Sequence, residues 1–371
     1  MCEQWHVSLR DIRAVYDPEM HIAMLQDSSR HHFYAKCLLK HQEDLKDKVA
    51  VDVGAGIGIM SAMALVHGKL GQVHAVEVLP EVARIIPKVL ESILDAEDRG
   101  KVRVHCGFVE KLCSVPGWPG DAVALVVSEW LGILALNEGM AQPLLRCRDA
   151  LCHGPARPQM LPGWLRLWVQ PGQASVQRGA GGDVTCGPRV ITSEQLQGSP
   201  TLLLDLDLNT CSVSDLFESQ GIDVESAGGA TGLVGWFDLH CCKDHPDVVL
   251  STSPSAPKTH WLQCWMPFDK ALEGSTKLHV QVQLKPQNLA GLPELCVVLS
   301  DLSGEDHHAQ FFLDRGVVEY GKVRAEARES EPKRRRLETE DIEAIYFPSD
   351  VQELLRLAQQ AVKEGAGPEL A

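Results

Sequence analysis

Residues 49–59 read VAVDVGAGIGI, an apolar run interrupted by Asp52 that ends in Gly54, Gly56 and Gly58. Four to six apolar residues bounded by glycine make a buried strand and a tight turn. The following stretch, GIMSAMALVHG (58–68), has the length and composition of a helix closed by Gly68. The same rhythm continues outward. VHAVEV (73–78) is the next strand, EVARIIPKVLESIL (81–94) a helix, KVRVHCG (101–107) a strand and Ala122 to Val127 another. Strands alternating with helices predict a parallel, doubly wound α/β domain. Residues 8–46 before it are expected to be helical. The pattern is expected to stop near residue 155, where CHGPARPQMLPG (152–163) breaks it.

From about residue 164 the texture changes. WLRLWVQ, PTLLLDLDL, GLVGWFDLHC, DVVLST, HWLQCWMPF, KLHVQVQL and LCVVLSDL are short strands separated by turn residues. That predicts an all-β barrel or sandwich. The Gly-rich stretch between Pro171 and Pro188 reads as a flexible loop. The tail mixes charges with little that is apolar and reads as disordered. Near its end, Ser349 and Gln352 form a capping box ahead of an apolar stripe, a helix over 350–364. The expected boundaries are therefore 1–46, a helical lid; 47–155, the α/β domain; 156–315, the β domain with loop 172–187; and 316–371, the tail.

Composition excludes some classes. The chain has 371 residues, 44% of them hydrophobic, and a net charge of -15. That charge argues against broad nucleic-acid binding and favours basic partners. No apolar run reaches the roughly 18 residues of a membrane-spanning helix. The first residues, MCEQWHVSLRD, lack the regions of a signal peptide. The 12 cysteines are scattered, Cys241 and Cys242 are adjacent, and no CxxC pair recurs with zinc spacing. Reduced thiols in cytoplasm or nucleus and no metal are the expectation. PKRRRL (332–337) reads as a nuclear import signal or a solvated charge run.

The glycine loop is GxGxG, without the third glycine of a dinucleotide fingerprint, which would fall at Ile59. Nor does it carry the GK[ST] of a phosphate loop. Glu77 ends the next strand, where a carboxylate can accept from a ribose diol. A nucleoside lacking pyrophosphate fits, and S-adenosylmethionine is such a ligand. Two glutamates nine positions apart, Glu129 and Glu138, follow the strand 122–127 in SEWLGILALNEGM (128–140). Paired carboxylates with no Lys or Arg among them suit a planar guanidinium fork.

Together these motifs resemble the protein arginine methyltransferases, over roughly residues 10–315. VDVGAGIGI is similar to the family's cofactor loop, HAVEV to its ribose strand and SEWLGILALNEGM to its double-glutamate loop. LSTSPSAPKTHWLQC (250–264) is similar to the segment bearing its THW loop, here Thr259, His260 and Trp261. HIAMLQDSSRHHFY (21–34) is similar to its N-terminal helix. The resemblance implies a Rossmann-like methyltransferase domain followed by a β barrel, with S-adenosylmethionine as cofactor. It implies that Arg30 meets the cofactor carboxylate and that Asp52, Gly54, Gly56 and Gly58 bound its pocket. Glu77 would hold the ribose and Glu110 lie by the adenine amine. Glu129 and Glu138 would clamp the substrate arginine, and His260 would pair with Asp27. Met24, Met140 and Trp261 would line the reacting end. The implied activity is type I-like methylation of arginine in basic protein substrates. The alternative is a catalytically weak, cofactor-binding paralogue that serves an active partner as a regulatory subunit. Three departures stand out: of the family's lid aromatics only Tyr16 is evident, Ile133 replaces a tyrosine, and loop 172–187 is short where the family has a long helical arm.

Overall fold

The computed structural model describes residue 12 and residues 18–152, 157–176, 184–216, 220–226, 228–272, 274–286, 293–301, 309–312 and 317–320. The expected tail beyond residue 320, its helix 350–364, the PKRRRL run, Tyr16 and the centre of loop 172–187 lie outside the described residues.

The first domain is a five-stranded parallel sheet in the order β3-β2-β1-β4-β5. Its strands are β1 (Val49–Val53), β2 (Gln72–Glu77), β3 (Val102–Cys106), β4 (Val123–Val127) and β5 (Gln159–Leu161). The chain winds outward from β1 through β2 and β3, then returns to β4 on the other side. β1 and β4 are therefore neighbours at the point where winding reverses, with Asp52 level with Val127. Loops at that point open a crevice suited to ligands. The sheet extends past the boundary expected at 155. Leu125 to Val127 lie unpaired on one edge until Gln159 to Leu161 cover them.

Helices α1 (Pro18–Gln26) and α2 (Ser28–Lys40) precede the sheet. The expected continuous helix breaks at Asp27, which has extended φ and ψ and caps α2 by accepting from the Arg30 N–H at 2.9 Å. A second break falls at His41. α3 (Ile59–Gly68) follows the glycine loop. The helix expected over 81–94 is split, because Pro87 starts a new one, α4 (Ile86–Ile93). A proline has no N–H to continue the ladder and fits the first turn best. α5 (Ala141–Ala150) follows the double-glutamate loop.

The second domain comprises two antiparallel sheets. One has the order β7-β12-β10-β6-β8, with β11 also paired to β10. Its members are β6 (Trp164–Gly172), β7 (Gly187–Arg189), β8 (Thr201–Asp207), β10 (Gly232–His240), β11 (Val249–Ser251) and β12 (Gln263–Pro267). The other is β16-β15-β14-β13-β9, from β9 (Gln220–Ser226), β13 (Thr276–Pro286), β14 (Pro293–Asp301), β15 (Ala309–Phe312) and β16 (Val317–Tyr320). β16 pairs with β15 and carries the domain past the expected end at 315.

One core cluster runs through both domains, from Leu125, Val126 and Val127 to Phe237, Leu239 and Phe311. At the junction lies Arg148 of α5, 1% exposed in its side chain. It donates to the Leu208 carbonyl at 2.6 Å, the Cys211 carbonyl at 2.7 Å and Asp149. A buried guanidinium is tolerable only when its donors are used, and here they join the domains.

Candidate active site

The site forms where β1, β2 and β4 end and α1 and α2 cover them. Gly54, Gly56 and Gly58 all have positive φ, at 71°, 54° and 93°. At Gly54 the requirement is twofold. A Cβ there would be strained and would lie 3.0 Å from Met140 Cε. The glycine loop and the double-glutamate loop thus touch through a bare backbone and a thioether.

Two acidic residues stand under the loop. Asp52 is fully buried. Its Oδ2 accepts from the Ser61 hydroxyl at 2.6 Å, while Oδ1 has no hydrogen-bond partner. Burial pushes its carboxyl up to about 7, against the pull of Ser61. Glu77 ends β2 with Oε2 accepting from the Gly56 N–H at 2.9 Å and Oε1 from the Leu79 N–H at 2.8 Å. Burial raises it as well, with both backbone bonds opposing. Each oxygen retains a second lone pair for a ligand hydroxyl. Glu110 begins the short helix after β3 and is half-buried, on the same carboxyl-end rim of the sheet as Glu77.

Glu129 comes directly after β4 and Ser128. Its side chain is 5% exposed, and its Oε2 lies 3.2 Å from Nη2 of Arg30. Its Oε1 accepts from the Leu131 N–H at 3.1 Å. The terminal nitrogen of Arg30, the residue expected to meet a cofactor carboxylate, rests on Glu129 in this structure. Nη1 donates to the Met24 carbonyl at 3.4 Å and contacts His31 Nε2 at 3.2 Å. A guanidinium only donates, so His31 Nε2 accepts and its proton sits on Nδ1. Burial, then the Arg30 charge, push His31 down to about 3, so the ring is neutral. Arg30 Nε is buried with no hydrogen-bond partner.

The double-glutamate loop does not present its two carboxylates alike. Leu136 to Glu138 form a 3-10 turn with Leu136 buried, and Gly139 follows with φ 74°. Ala135 has a positive φ of 57°, and Asn137 Oδ1 accepts from the Leu134 N–H at 3.1 Å. With Leu134 and Leu136 turned inward, Glu138 is carried to the exposed rim while Glu129 stays inside. The paired clamp expected from spacing is thus one buried and one rim carboxylate.

The structure brings His260 and Asp27 together. Asp27 Oδ2 accepts from both the His260 N–H at 2.9 Å and its ring Nδ1 at 2.8 Å. Nδ1 therefore carries the proton, and Nε2 is the nitrogen able to take one. Burial alone would raise Asp27, but the His260 side chain, the Arg30 N–H and the His260 N–H hold it below its ordinary value. Trp261, expected to line a substrate pocket, is buried instead. Its Nε1 donates to the Leu131 carbonyl at 2.6 Å, and it packs edge-on against Phe237 at 5.3 Å. An indole that finds its polar partner inside is a support rather than a contact surface.

Two residues not singled out from sequence complete the support. The Tyr34 hydroxyl donates to the Ser128 carbonyl at 3.0 Å, and the Ser128 hydroxyl to the Val53 carbonyl at 2.6 Å. A tyrosine inside an apolar helix stripe demands such a partner, which was the available signal. Met24, Leu25, Arg30, Gly54, Met60 and Glu129 are among the residues enclosing a free volume of about 50 Å³. That is room for about one water, far below the roughly 300 Å³ of a small-ligand pocket.

Comparison with known proteins places this geometry in context. A family profile described as the arginine methyltransferase oligomerization subdomain matches residues 183–291. The Arabidopsis thaliana protein named "Probable protein arginine N-methyltransferase 3" is 30% identical over 284 residues, which cover 68% of this chain and 47% of that protein. Mouse protein arginine N-methyltransferase 2 is 27% identical over 313 residues, 76% of this chain and 67% of that protein. The chain thus spans between about half and two thirds of these relatives' length. Among solved structures, Arabidopsis thaliana protein arginine methyltransferase 10 shares the fold with a TM-score of 0.66 at 21% identity, covering 82% of this chain and 99% of that one. The Trypanosoma brucei PRMT1 enzyme–prozyme heterotetramer with AdoHcy does so with a TM-score of 0.67 at 22% identity, covering 80% and 98%.

Proposed function

This chain belongs to the protein arginine methyltransferase family, and we propose that it transfers a methyl group from S-adenosylmethionine to a guanidino nitrogen of arginine in protein substrates. The observation that carries the reading is Glu129: a nearly enclosed carboxylate beside the glycine loop that already holds a guanidinium at 3.2 Å.

The residues present fit the cofactor. Asp52 Oδ1 and Arg30 Nε are buried polar atoms without hydrogen-bond partners, and such orphans mark a place for a ligand. The positive-φ glycines let a ligand approach the backbone. Glu77 would accept from the ribose hydroxyls, Arg30 Nε would donate to the carboxylate, and Glu110 would neighbour the adenine amine. When bound, S-adenosylmethionine supplies an electrophilic methyl group. Admitting it requires α1 to move outward, because the enclosed volume is too small. What α1 surrenders is the packing of Leu25 among Ile57, Leu79, Val82, Ile85 and Val89.

The chain's own residues then position the acceptor. A guanidinium is protonated at neutral pH and a poor nucleophile. Both oxygens of Glu129 keep a free lone pair beside their present bonds, so a second guanidinium can join Arg30 there. Glu138 at the rim orients the rest of the fork. Met140 on Gly54 crowds the acceptor nitrogen and limits its approach. Alignment of this kind supplies a large share of a transfer barrier. The released proton passes to His260 Nε2, on the ring whose Nδ1 is held by Asp27, or to a glutamate.

The finer assignment is type I-like, with mono- or asymmetric dimethylation. The second reading, a weakly active regulatory subunit, draws on Arg30 lying across Glu129 and on the short arm loop. Radiolabelled transfer to an arginine-rich peptide, compared with its lysine-substituted twin, separates the two. Label on the arginine peptide alone is expected. No label on either, with intact S-adenosylhomocysteine binding, overturns the enzyme reading and leaves the regulatory one.

A further inference from the structure

Away from the candidate site, three metal-ligating side chains, His41, Cys241 and Cys242, meet where α2 ends against the second domain, with the buried Cys37 one turn before His41. His41 closes α2, and its N–H donates to the Cys37 carbonyl one turn back at 3.2 Å. Cys241 and Cys242 follow β10 directly. Ligand atoms of His41, Cys241 and Cys242 all lie within 4.8 Å of one another. Cys242 Sγ and His41 Nε2 are 3.7 Å apart. Cys37 is fully buried on α2, next to Cys241. The Cys241–Cys242 turn is fixed by the Cys241 N–H donating to the Val248 carbonyl at 3.0 Å and the His245 N–H to the Cys242 carbonyl at 3.3 Å. His245 lies edge-on to His41, ring centroids 5.4 Å apart.

The donor set selects the ion. Sulfur and imidazole suit zinc-like cations, whereas magnesium and calcium need oxygen. Tetrahedral zinc with bonds of about 2.3 Å to sulfur and about 2.0 Å to nitrogen places those two ligands about 3.5 Å apart. The Cys242–His41 separation of 3.7 Å is close to that spacing without any chain movement. The three thiols are buried and His41 is half-buried, so the imidazole edge is the way in.

We propose that His41, Cys241 and Cys242, completed by Cys37, form a structural site for Zn²⁺ or a similar thiophilic divalent cation. The ion would rivet the end of α2 to the second domain. The same helix carries Arg30, and Asp27 caps its start. A metal at its far end would hold the helix that supports the candidate site from both ends.

The test uses the full chain, reduced, loaded with Zn²⁺ and dialysed against a weak chelator, with metal counted by mass spectrometry. Near one equivalent per chain is expected for the parent and for Cys106→Ser, which alters an exposed thiol elsewhere. Cys242→Ser and His41→Gln are expected to bind at least tenfold more weakly. Replacement by Co²⁺ reports independently of any variant: the parent should show thiolate-to-cobalt charge transfer and the strong visible bands of tetrahedral coordination, saturating at one equivalent. Absence of that spectrum overturns the proposal. So does zinc retained equally by all four proteins, which would mean an adventitious ion only.

Discussion

Asp27 joins the lid to the second domain, and its removal can be worked out bond by bond. Oδ1 caps α2 through the Arg30 N–H, and Oδ2 accepts twice from His260. Asp27→Ala loses all three. An N-cap is worth about 1 kcal/mol. A hydrogen bond to a charged acceptor is worth about 1.5–3 kcal/mol, and both His260 donors would be left poorly satisfied. The expected cost is about 4 kcal/mol. Asp27→Asn keeps the cap, because asparagine caps as well as aspartate. Its amide nitrogen then faces two donors, so about 3 kcal/mol is still lost. The difference between the two variants, about 1 kcal/mol, isolates the cap.

Urea unfolding of both variants, of His260→Ala and of the Asp27→Ala/His260→Ala pair measures these terms. A coupling energy of about 2 kcal/mol is expected from the cycle, within the range for residues in one network. The pH dependence adds a check. Asp27 lies below its ordinary carboxylate value when folded. Its stabilisation is therefore present above the unfolded value of 3.8 and lost as pH falls through the lowered folded value. The parent should lose the coupling in that acid window, while Asp27→Asn should show no such step. A coupling near zero at pH 7, or equal stability of parent and Asp27→Asn, would refute the reasoning.

Further expectations concern the site and the assembly. Glu138→Gln, on the exposed rim, should leave S-adenosylhomocysteine binding intact by calorimetry while methyl transfer falls at least about a hundredfold; lost cofactor affinity would contradict the assignment. Glu129→Gln should destabilise as well, because it strands the buried Arg30 charge, by about 3 kcal/mol in urea unfolding. Gly54→Ala should weaken S-adenosylhomocysteine binding at least about tenfold, since left-handed φ costs alanine about 1 kcal/mol and its methyl meets Met140; unchanged affinity would mean the loop does not contact the ligand. Product analysis by mass spectrometry should show mainly monomethyl-arginine with slow asymmetric dimethylation, and abundant symmetric product would refute this. In sedimentation at micromolar concentration the chain should lack a tight arm-exchanged dimer, because the described start of loop 172–187 is tied to its own domain, Gln173 to Gln195 at 2.7 Å and Ala174 to Thr231 at 2.9 Å; a concentration-independent dimer built on 172–187 would sink that expectation.

What sequence could reveal was whatever local pattern controls. The glycine loop, Glu77 and the first four strands were legible because turn chemistry and apolar runs act within a few residues. β5 was hidden by its brevity and by flanking prolines, and it exists only because the β4 edge needs a partner. The division of α1 from α2 turned on Asp27 choosing to cap, a choice favoured by two His260 donors more than two hundred residues away. Glu138's outward turn depends on Ala135 adopting a positive φ that no propensity predicts. Arg30's attachment to Glu129 and the Cys37–His41–Cys241–Cys242 cluster are likewise products of tertiary proximity, without a spacing signature in the chain.

Tertiary proximity also explains how Glu129 is aimed. Ser128 is pinned from the first domain, by its own hydroxyl to Val53 and by Tyr34 to its carbonyl. Leu131 is pinned from the second, by Trp261. Leu134 lies against Gly235 of β10, where a Cβ would come within 2.9 Å of it, so a glycine in that strand is what lets the loop nest. Glu129 sits between those anchors, its carboxylate held by the Leu131 N–H and by Arg30. The carboxylate that the strand end brings to the crevice is thus oriented by a domain that contributes no strand to the parallel sheet. An α/β domain of this kind could bind a nucleoside at its own switch point. The carboxylate proposed to receive a guanidinium is held by contacts from both domains, and this gives the second domain a direct part in the chemistry proposed for the first.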